Sequence, residues 1–314
     1  MQRANLNVDK FHWGSLTKCV AAAVLLMGSF PILSLAQQRV QKTFSSAEEA
    51  SGAFAAATAK NDEEAMLEIL GPDGKQIVSS GDEAEDAEGR ATFTKKYEEM
   101  HRLVTEPNGT VTLYIGAENW PTPMPILNKG NLWFFDTEAG IQEILQRRIG
   151  GNEISAIHIC LQLVAAQKEF YAAHQNQYAN KIFSDDGQHN GLYWKAPEGQ
   201  PQSPIGPLVA QAFVDSSAKN QEPTPAPYRG YYFRLMGHSE KGNVGGFAFV
   251  AYPAEYRSSG VVTFIVNADG VVYQRDLGKK TEQAAKSIKE YKLTAKWQKA
   301  EEEPEQTAST DQKN

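Results

Sequence analysis

Cysteine is nearly missing from this chain: 314 residues hold two, Cys19 and Cys160. Cys19 lies in an apolar N-terminal run, so beyond that run Cys160 stands alone and no internal disulfide can form. The C-x-x-C spacings of a structural zinc site or a redox motif do not occur. His101, His158, His174, His189 and His238 are scattered, with no H-E-x-x-H string, so neither a zinc hydrolase nor a Cys-His pair is indicated. The glycine patterns that cradle phosphates, Walker A and G-x-G-x-x-G, are missing as well. Positive charge is also short, with 31 Lys and Arg against 38 Asp and Glu and a formal charge of −7. Phosphate backbones and anionic membrane surfaces are therefore poor partners, and no nucleic acid is expected.

The longest apolar run lies near the N-terminus. Arg3, Lys10 and Lys18 precede the run Cys19–Leu35, and Ser34-Leu35-Ala36 places small residues where a signal peptidase needs them. Residues 1–36 are expected to be a cleaved signal peptide, leaving a mature chain that begins at Gln37. The alternative is an uncleaved anchor, which the shortness of the run and its interruption by Gly28 and Pro31 disfavour. No cysteine follows the run, so lipid attachment is not expected. Periplasm or the cell exterior is the expected location, without membrane insertion after cleavage. Cleavage removes three basic groups and one acid, Asp9, so the mature chain is more acidic still.

What is present reads as an α+β protein of two domains, 37–150 and 151–298, with a disordered acidic tail at 299–314. In the first domain Ser45-Ser46-Ala47-Glu48 fits a capping box for a helix to Lys60 with Ala50, Phe54 and Ala57 on one face. A second helix from Asn61 or Asp62 carries Ala65, Met66, Ile69 and Leu70 and stops at Gly71-Pro72. Ile77-Val78 is expected as a short strand and Gly81–Gly89 as a solvated acidic loop. A third helix follows, with Phe93, Tyr97, Met100 and Val104 at helical spacing. After the Pro107-Asn108-Gly109 turn, Val111, Leu113 and Ile115 alternate with polar residues as a half-buried strand does. Trp120–Pro125 runs extended, Asn128-Lys129-Gly130 reads as a turn, and Leu132–Phe135 as a strand.

A long helical pattern spans Ala139–Tyr178, and Gly150-Gly151 is where it is expected to break, with Asn152 as the next N-cap. Its second part carries apolar residues on two faces, Ile154, Ile157, Leu161 and Val164 on one and Ile159, Leu163, Ala166 and Phe170 on the other. Such a helix must be covered on most sides, and Cys160 among these residues reads as a small buried hydrophobe. Four strands are expected after it: Tyr231–Leu235, Phe247–Tyr252, Val261–Val266 and Val271–Gln274, with Asn267–Gly270 as a hairpin turn. The Phe247 and Val261 runs are nearly all apolar, which implies cover on both faces. Thr281 is expected to cap a last helix bearing Ala284, Ile288, Tyr291 and Ala295.

Between helix and sheet lies Ser184–Pro227, far longer than a plain connector and holding seven prolines. Within it, Asp186-Gly187-Gln188-His189-Asn190-Gly191 places oxygen-bearing side chains at alternate positions with a glycine sixth, as a calcium loop does. The twelfth position, Pro197, lacks the acid that such a loop requires. Asp186 and Asn190 are the residues a calcium ion would use; otherwise the loop is a run of turns, with Tyr193 and Trp194 packed inward as pins. The Gly81–Gly89 carboxylates resemble metal ligands by number alone. Gly237-His238-Ser239-Glu240-Lys241-Gly242 superficially resembles a nucleophile elbow, but its second glycine is displaced and no helix follows. No catalytic residue and no resident cofactor is assigned.

Two blocks are distinctive. The first joins Asn152-Glu153, Ala166-Gln167, Tyr171, Gly191-Leu192-Tyr193-Trp194 and Ser203–Pro207. The second joins Gly230-Tyr231-Tyr232-Phe233-Arg234, Gly246-Phe247-Ala248 and Ala251–Tyr256, continuing through Thr263–Asn267 and Val272–Gly278. They resemble DUF2950, a bacterial family of exported proteins of unknown function. The resemblance implies export and no known activity. It departs in the Met236–Gly245 connection, shorter than the family's glycine-rich segment, and in Asn190, where an aspartate is expected. The second half is also similar, more loosely, to the globular part of pilin-like proteins. A pilin carries its membrane helix directly before that unit, whereas a soluble domain intervenes here.

The expected function is a non-catalytic binding or structural module of the cell envelope with an envelope or extracellular partner. The alternative is an exported hydrolase or calcium-dependent enzyme using the 184–227 loop. An enzyme should gather titratable groups into one cleft, and a binding module should offer an apolar or aromatic surface without them.

Overall fold

Helix α1 (Ala47–Ala59) begins where the polar pair Ser45-Ser46 meets an alanine-rich run. The Ser46 hydroxyl accepts from Glu49 N at 3.1 Å, and the Glu49 carboxylate turns back to accept from Ser45 N at 2.9 Å. The box thus closes one residue later than the spacing predicts, with Glu49 in place of Glu48. Asp62 caps α2 (Glu63–Leu70) through Ala65 N, and Met66, Ile69 and Leu70 are buried. The computed structural model describes residues 40–79, 83–197, 199–214, 224–236 and 246–301. Residues 1–36, expected as a signal peptide, the string Gly237–Gly242 and residues 302–314 lie outside the described residues.

Three corrections follow in the first half. Ile77-Val78 is not a strand: Pro72–Gly74 forms a 3₁₀ turn that runs into α3 (Lys75–Val78). Two adjacent apolar residues fit either period, and Pro72, with its fixed φ, starts a helical turn. The acidic stretch from Glu83 is helical, the solvated start of α4 (Glu83–Glu99). Alanine and glutamate are strong helix formers, and carboxylates in a first turn complement the helix dipole. That helix also ends earlier than Val104, because His101–Thr105 is strand β1, paired antiparallel with β2 (Val111–Ile115). Pro107-Asn108-Gly109 therefore closes a hairpin, and cross-strand pairing overrides the helical spacing of Met100 and Val104.

β2 alternates buried and half-buried residues, as the period of two predicts. β3 (Trp120–Pro121) and β4 (Ile126–Lys129) pair with β2, and β5 (Leu132–Phe135) pairs with β4. The turn lies at Gly130-Asn131, both at positive φ (61° and 68°), slightly later than expected. One face of this antiparallel sheet carries a core of Phe54, Met66, Leu70, Val111, Ile126 and Phe135.

α5 (Thr137–Ala173) is one helix of 37 residues, capped by Asp136 through Ala139 N. It passes through Gly150-Gly151 unbroken, so Asn152 is interior and not an N-cap. Tertiary bonds hold the weak point: Asn152 donates to Ser259 O at 2.9 Å, and Glu153 accepts from Val261 N and Val262 N at 2.8 and 3.2 Å. By length and composition α5 could cross a membrane, yet its second half forms the base of the second core. Ile157, Ile159, Cys160, Leu163 and Phe170 are buried there, while Ile154 is exposed.

The second sheet has five antiparallel strands in the order β10-β9-β8-β7-β6. They are β6 (Tyr231–Met236), β7 (Ala248–Pro253), β8 (Val262–Asn267), β9 (Tyr273–Asp276) and β10 (Gln298–Lys299). Four were expected. The fifth recruits the start of the supposed tail, and Ala300, 3 % exposed, donates its N–H to Val272 O. Both faces are covered, as the apolar runs predict. Phe233, Phe249 and Phe264 meet α5, while Val250, Tyr252 and Ile265 meet the segment after β9.

Before β6 lies the short helix α6 (Pro207–Gln211), and after β9 comes α7 (Thr281–Ser287). α7 is much shorter than expected, and Thr281 is its first residue, its hydroxyl donating to Gly278 O. Buried Arg234 stops it by donating to the carbonyls of Ala285 and Ile288. A guanidinium at a helix C-terminus satisfies orphan carbonyls and opposes the negative end of the dipole.

Candidate binding site

Where α1 and α4 lean over the end of β2, the side chains leave a cavity of about 680 Å³. Its floor is carbon and sulfur: Phe54, Met66, Val78, Ile115 and Met124 are all buried. Phe93 of α4 meets Phe54 edge-on, with ring centres 5.5 Å apart. Phenylalanine faces and methionine thioethers adapt to varied apolar shapes. A cavity of this size and lining falls in the range of small-molecule sites, roughly 300 to 1,000 Å³.

Polar groups lie mainly along the rim, on α4: Asp86, Glu88, Arg90, Thr92 and Lys96. The two rim cations are engaged. Lys96 pairs with Glu118, and Arg90 Nε donates to Asn61 Oδ1 at 2.8 Å. Deeper in, the Thr58 hydroxyl donates to Phe54 O at 2.8 Å. Thr122, 5 % exposed, has a buried hydroxyl without a protein partner.

Local chemistry sets Trp120 at the mouth. At the end of β2, Gly116 N donates to Lys96 O and Met100 O, tying the sheet to the last turn of α4. Gly116 has φ +74°, a left-handed backbone conformation that favours glycine. Asn119 accepts from Arg102 Nε at 2.8 Å. Trp120 then emerges 41 % exposed, with the Arg147 guanidinium of α5 5.0 Å from its ring centre. Arg147 is itself fixed, donating to Pro121 O at 2.8 Å and to Glu143 at 2.7 Å. The indole is held in place before any ligand arrives, which lowers the entropy lost on binding.

The residues singled out in the sequence lie elsewhere. In the 184–191 segment, Asn190 Oδ1 accepts from Asp185 N, and its amide donates to Asp185 and Gln188 at 2.8 Å each. The Lys181 ammonium, 2.5 Å away, and the Asn190 amide hold the Asp185 carboxyl below its ordinary range. Asn190 thus closes a turn, and Asp186 is exposed. The pin of this loop is Leu192, 0 % exposed, with Tyr193 packed against the same core as expected, while Trp194 lies outside that core. Both aromatics are half-buried, and Trp194 stacks on His189 at 4.2 Å and donates to Pro201 O. His101, the first residue of β1, stacks on Tyr97 of α4, His174, just past the end of α5, stacks on Phe170, and His158 is exposed. Among the described residues no three His, Cys, Asp or Glu side chains converge. Cys160 is buried, and burial pushes its thiol up to about 12.

The two distinctive blocks meet each other. Asn152 and Glu153 dock on Ser259–Val262, and Tyr231 donates to Val262 O at 2.9 Å. Burial first, and then the Glu153 carboxylate, push the Tyr231 phenol above its ordinary range. Gly260 lies so close to this ring that a Cβ would meet the Tyr231 oxygen at 2.3 Å. Gln167 exchanges two 2.9 Å bonds with the backbone of Ala179. These residues lock α5 to the second sheet and its following loop.

Sequence reasoning missed the cavity because its walls come from six separated segments, α1, α2, α3, α4, the end of β2 and the strip from Trp120 to Met124. The one local signal was Trp120–Pro125, a proline-stiffened strip that exposes an indole beside Met124.

The fold is α+β, helices with two antiparallel sheets. Residues 41–300 match the family model described as protein of unknown function (DUF2950), and the chain belongs to that family. No curated protein and no solved structure matches it.

Proposed function

We propose that the protein is an exported, non-catalytic binding module of the bacterial cell envelope. In this reading residues 37–150 hold a small apolar molecule, and 151–298 form a supporting scaffold. The observation that carries it is the apolar-floored cavity of about 680 Å³ with Trp120 clamped at its mouth by Arg147. The scaffold role is supported by the docking of Asn152, Glu153 and Tyr231, the residues that carry the family resemblance, into the junction of α5 with the second sheet. A long helix laid along an antiparallel sheet also supports the pilin-like comparison for this half, as architecture without filament assembly. Export rests on residues 1–36, with Gln37 as the mature N-terminus.

Titration of the folded protein with the neutral fluorophore N-phenyl-1-naphthylamine tests the reading. Saturable, blue-shifted emission is expected, weakened about tenfold in Trp120→Ala, since losing a contact of about 1.4 kcal/mol costs that factor. A folded protein that takes up none of the probe would overturn it.

A further inference from the structure

Resting on that reading, we infer that the cavity takes a neutral amphiphile, an apolar body bearing an uncharged hydroxyl head, rather than a fatty acid or a cationic lipid. The body is dictated by the floor: Phe54, Met66, Ile115 and Met124 offer no polar side-chain group to a buried charge, and an unpaired ion in such surroundings is strongly disfavoured. A charged head would therefore have to sit at the rim.

There the charges are mixed. A carboxylate head would face Asp86 and Glu88, and an ammonium head would face Arg90 and Lys96, all on α4. Neither rim cation is idle, since Lys96 pairs with Glu118 and Arg90 donates to Asn61. Recruiting either for an anion would break a bond already made. A hydroxyl both donates and accepts, so it can bond to a rim carboxylate or to the Thr92 hydroxyl without leaving a charge uncompensated. Trp120 covers the apolar body just below the head with a rigid face.

The test is displacement of N-phenyl-1-naphthylamine from the full mature chain by dodecanol, kept below its solubility limit, and by dodecanoate and dodecylammonium, kept below their micelle concentrations. Dodecanol is expected to displace the probe, with both ions weaker by about tenfold or more. Displacement by either ion as strong as by dodecanol would overturn the inference while leaving the cavity reading intact. Failure of the probe to bind at all would overturn both.

Two variants tie the signal to this place. Met124→Trp fills the floor. Gly89→Phe fills the mouth from an exposed helical position where a Cβ meets open space, so its folding is not at risk. Each should lower dodecanol affinity about tenfold through the lost apolar contact. Unchanged affinity in a folded Gly89→Phe protein would overturn the inference.

Discussion

Cys160 shows how a single side chain can be read correctly from its neighbours. Surrounded in sequence by Ile157, Ile159, Leu161 and Val164, it is fully buried, and desolvation raises its thiol to about 12. The thiolate is the reactive species, so native protein should react slowly with a bulky thiol reagent and rapidly in denaturant; fast native labelling would contradict the burial. The same shift gives a pH dependence. A folded pKa above the unfolded value of about 9 means this contribution to stability is complete below pH 9 and is lost as pH rises towards 12. Alkaline unfolding monitored from pH 8 to 11 should therefore be less steep in Cys160→Ala. Leu192 and Trp194 make the opposite point. The tryptophan is the more conspicuous letter, but the leucine is buried, so Leu192→Ala should cost about 2 to 5 kcal/mol and Trp194→Ala about 1 kcal/mol. Chemical denaturation of both variants checks the order; a larger loss for Trp194→Ala would restore the aromatic as the pin.

Among the elements, those with strong local signals were legible: the starts of α1 and α2 to within a residue, the alternation in β2, and the apolar β7 and β8 with both faces covered. The misread elements were settled by partners distant in sequence. β1 follows Met100 at helical spacing and becomes a strand because β2 lies beside it. α7 is cut short by Arg234, 47 residues before its first turn begins. Gly150-Gly151 favours a break by propensity, yet α5 runs on unbroken, with Asn152 and Glu153 bonded to the segment Ser259–Val262 that leads into β8. In neither glycine would a Cβ meet any atom within 4 Å. Gly151→Ala should therefore raise stability by about 0.5 to 1 kcal/mol, seen as a higher Tm. A lower Tm would mean that the helix needs its flexibility at this point.

At the scale of the whole molecule, side-chain bonding to the backbone is dense in the second half, while the apolar vacancy is in the first. The residues that carry the family resemblance lie in that second half and lock α5 against a sheet. The candidate site was not legible because a cavity is a property of assembled surfaces: Phe54, Phe93, Ile115 and Trp120 are unremarkable apart and converge only when α1 and α4 close over β2. The most direct test is the map of backbone amide shifts in ¹⁵N-labelled mature protein titrated with dodecanol. The predicted result is a saturable set of changes at Thr58, Phe93, Lys96, Ile115 and Trp120, with the Ser184–Pro227 segment unmoved. Changes centred on that segment, or none at all, would contradict a binding role for the cavity.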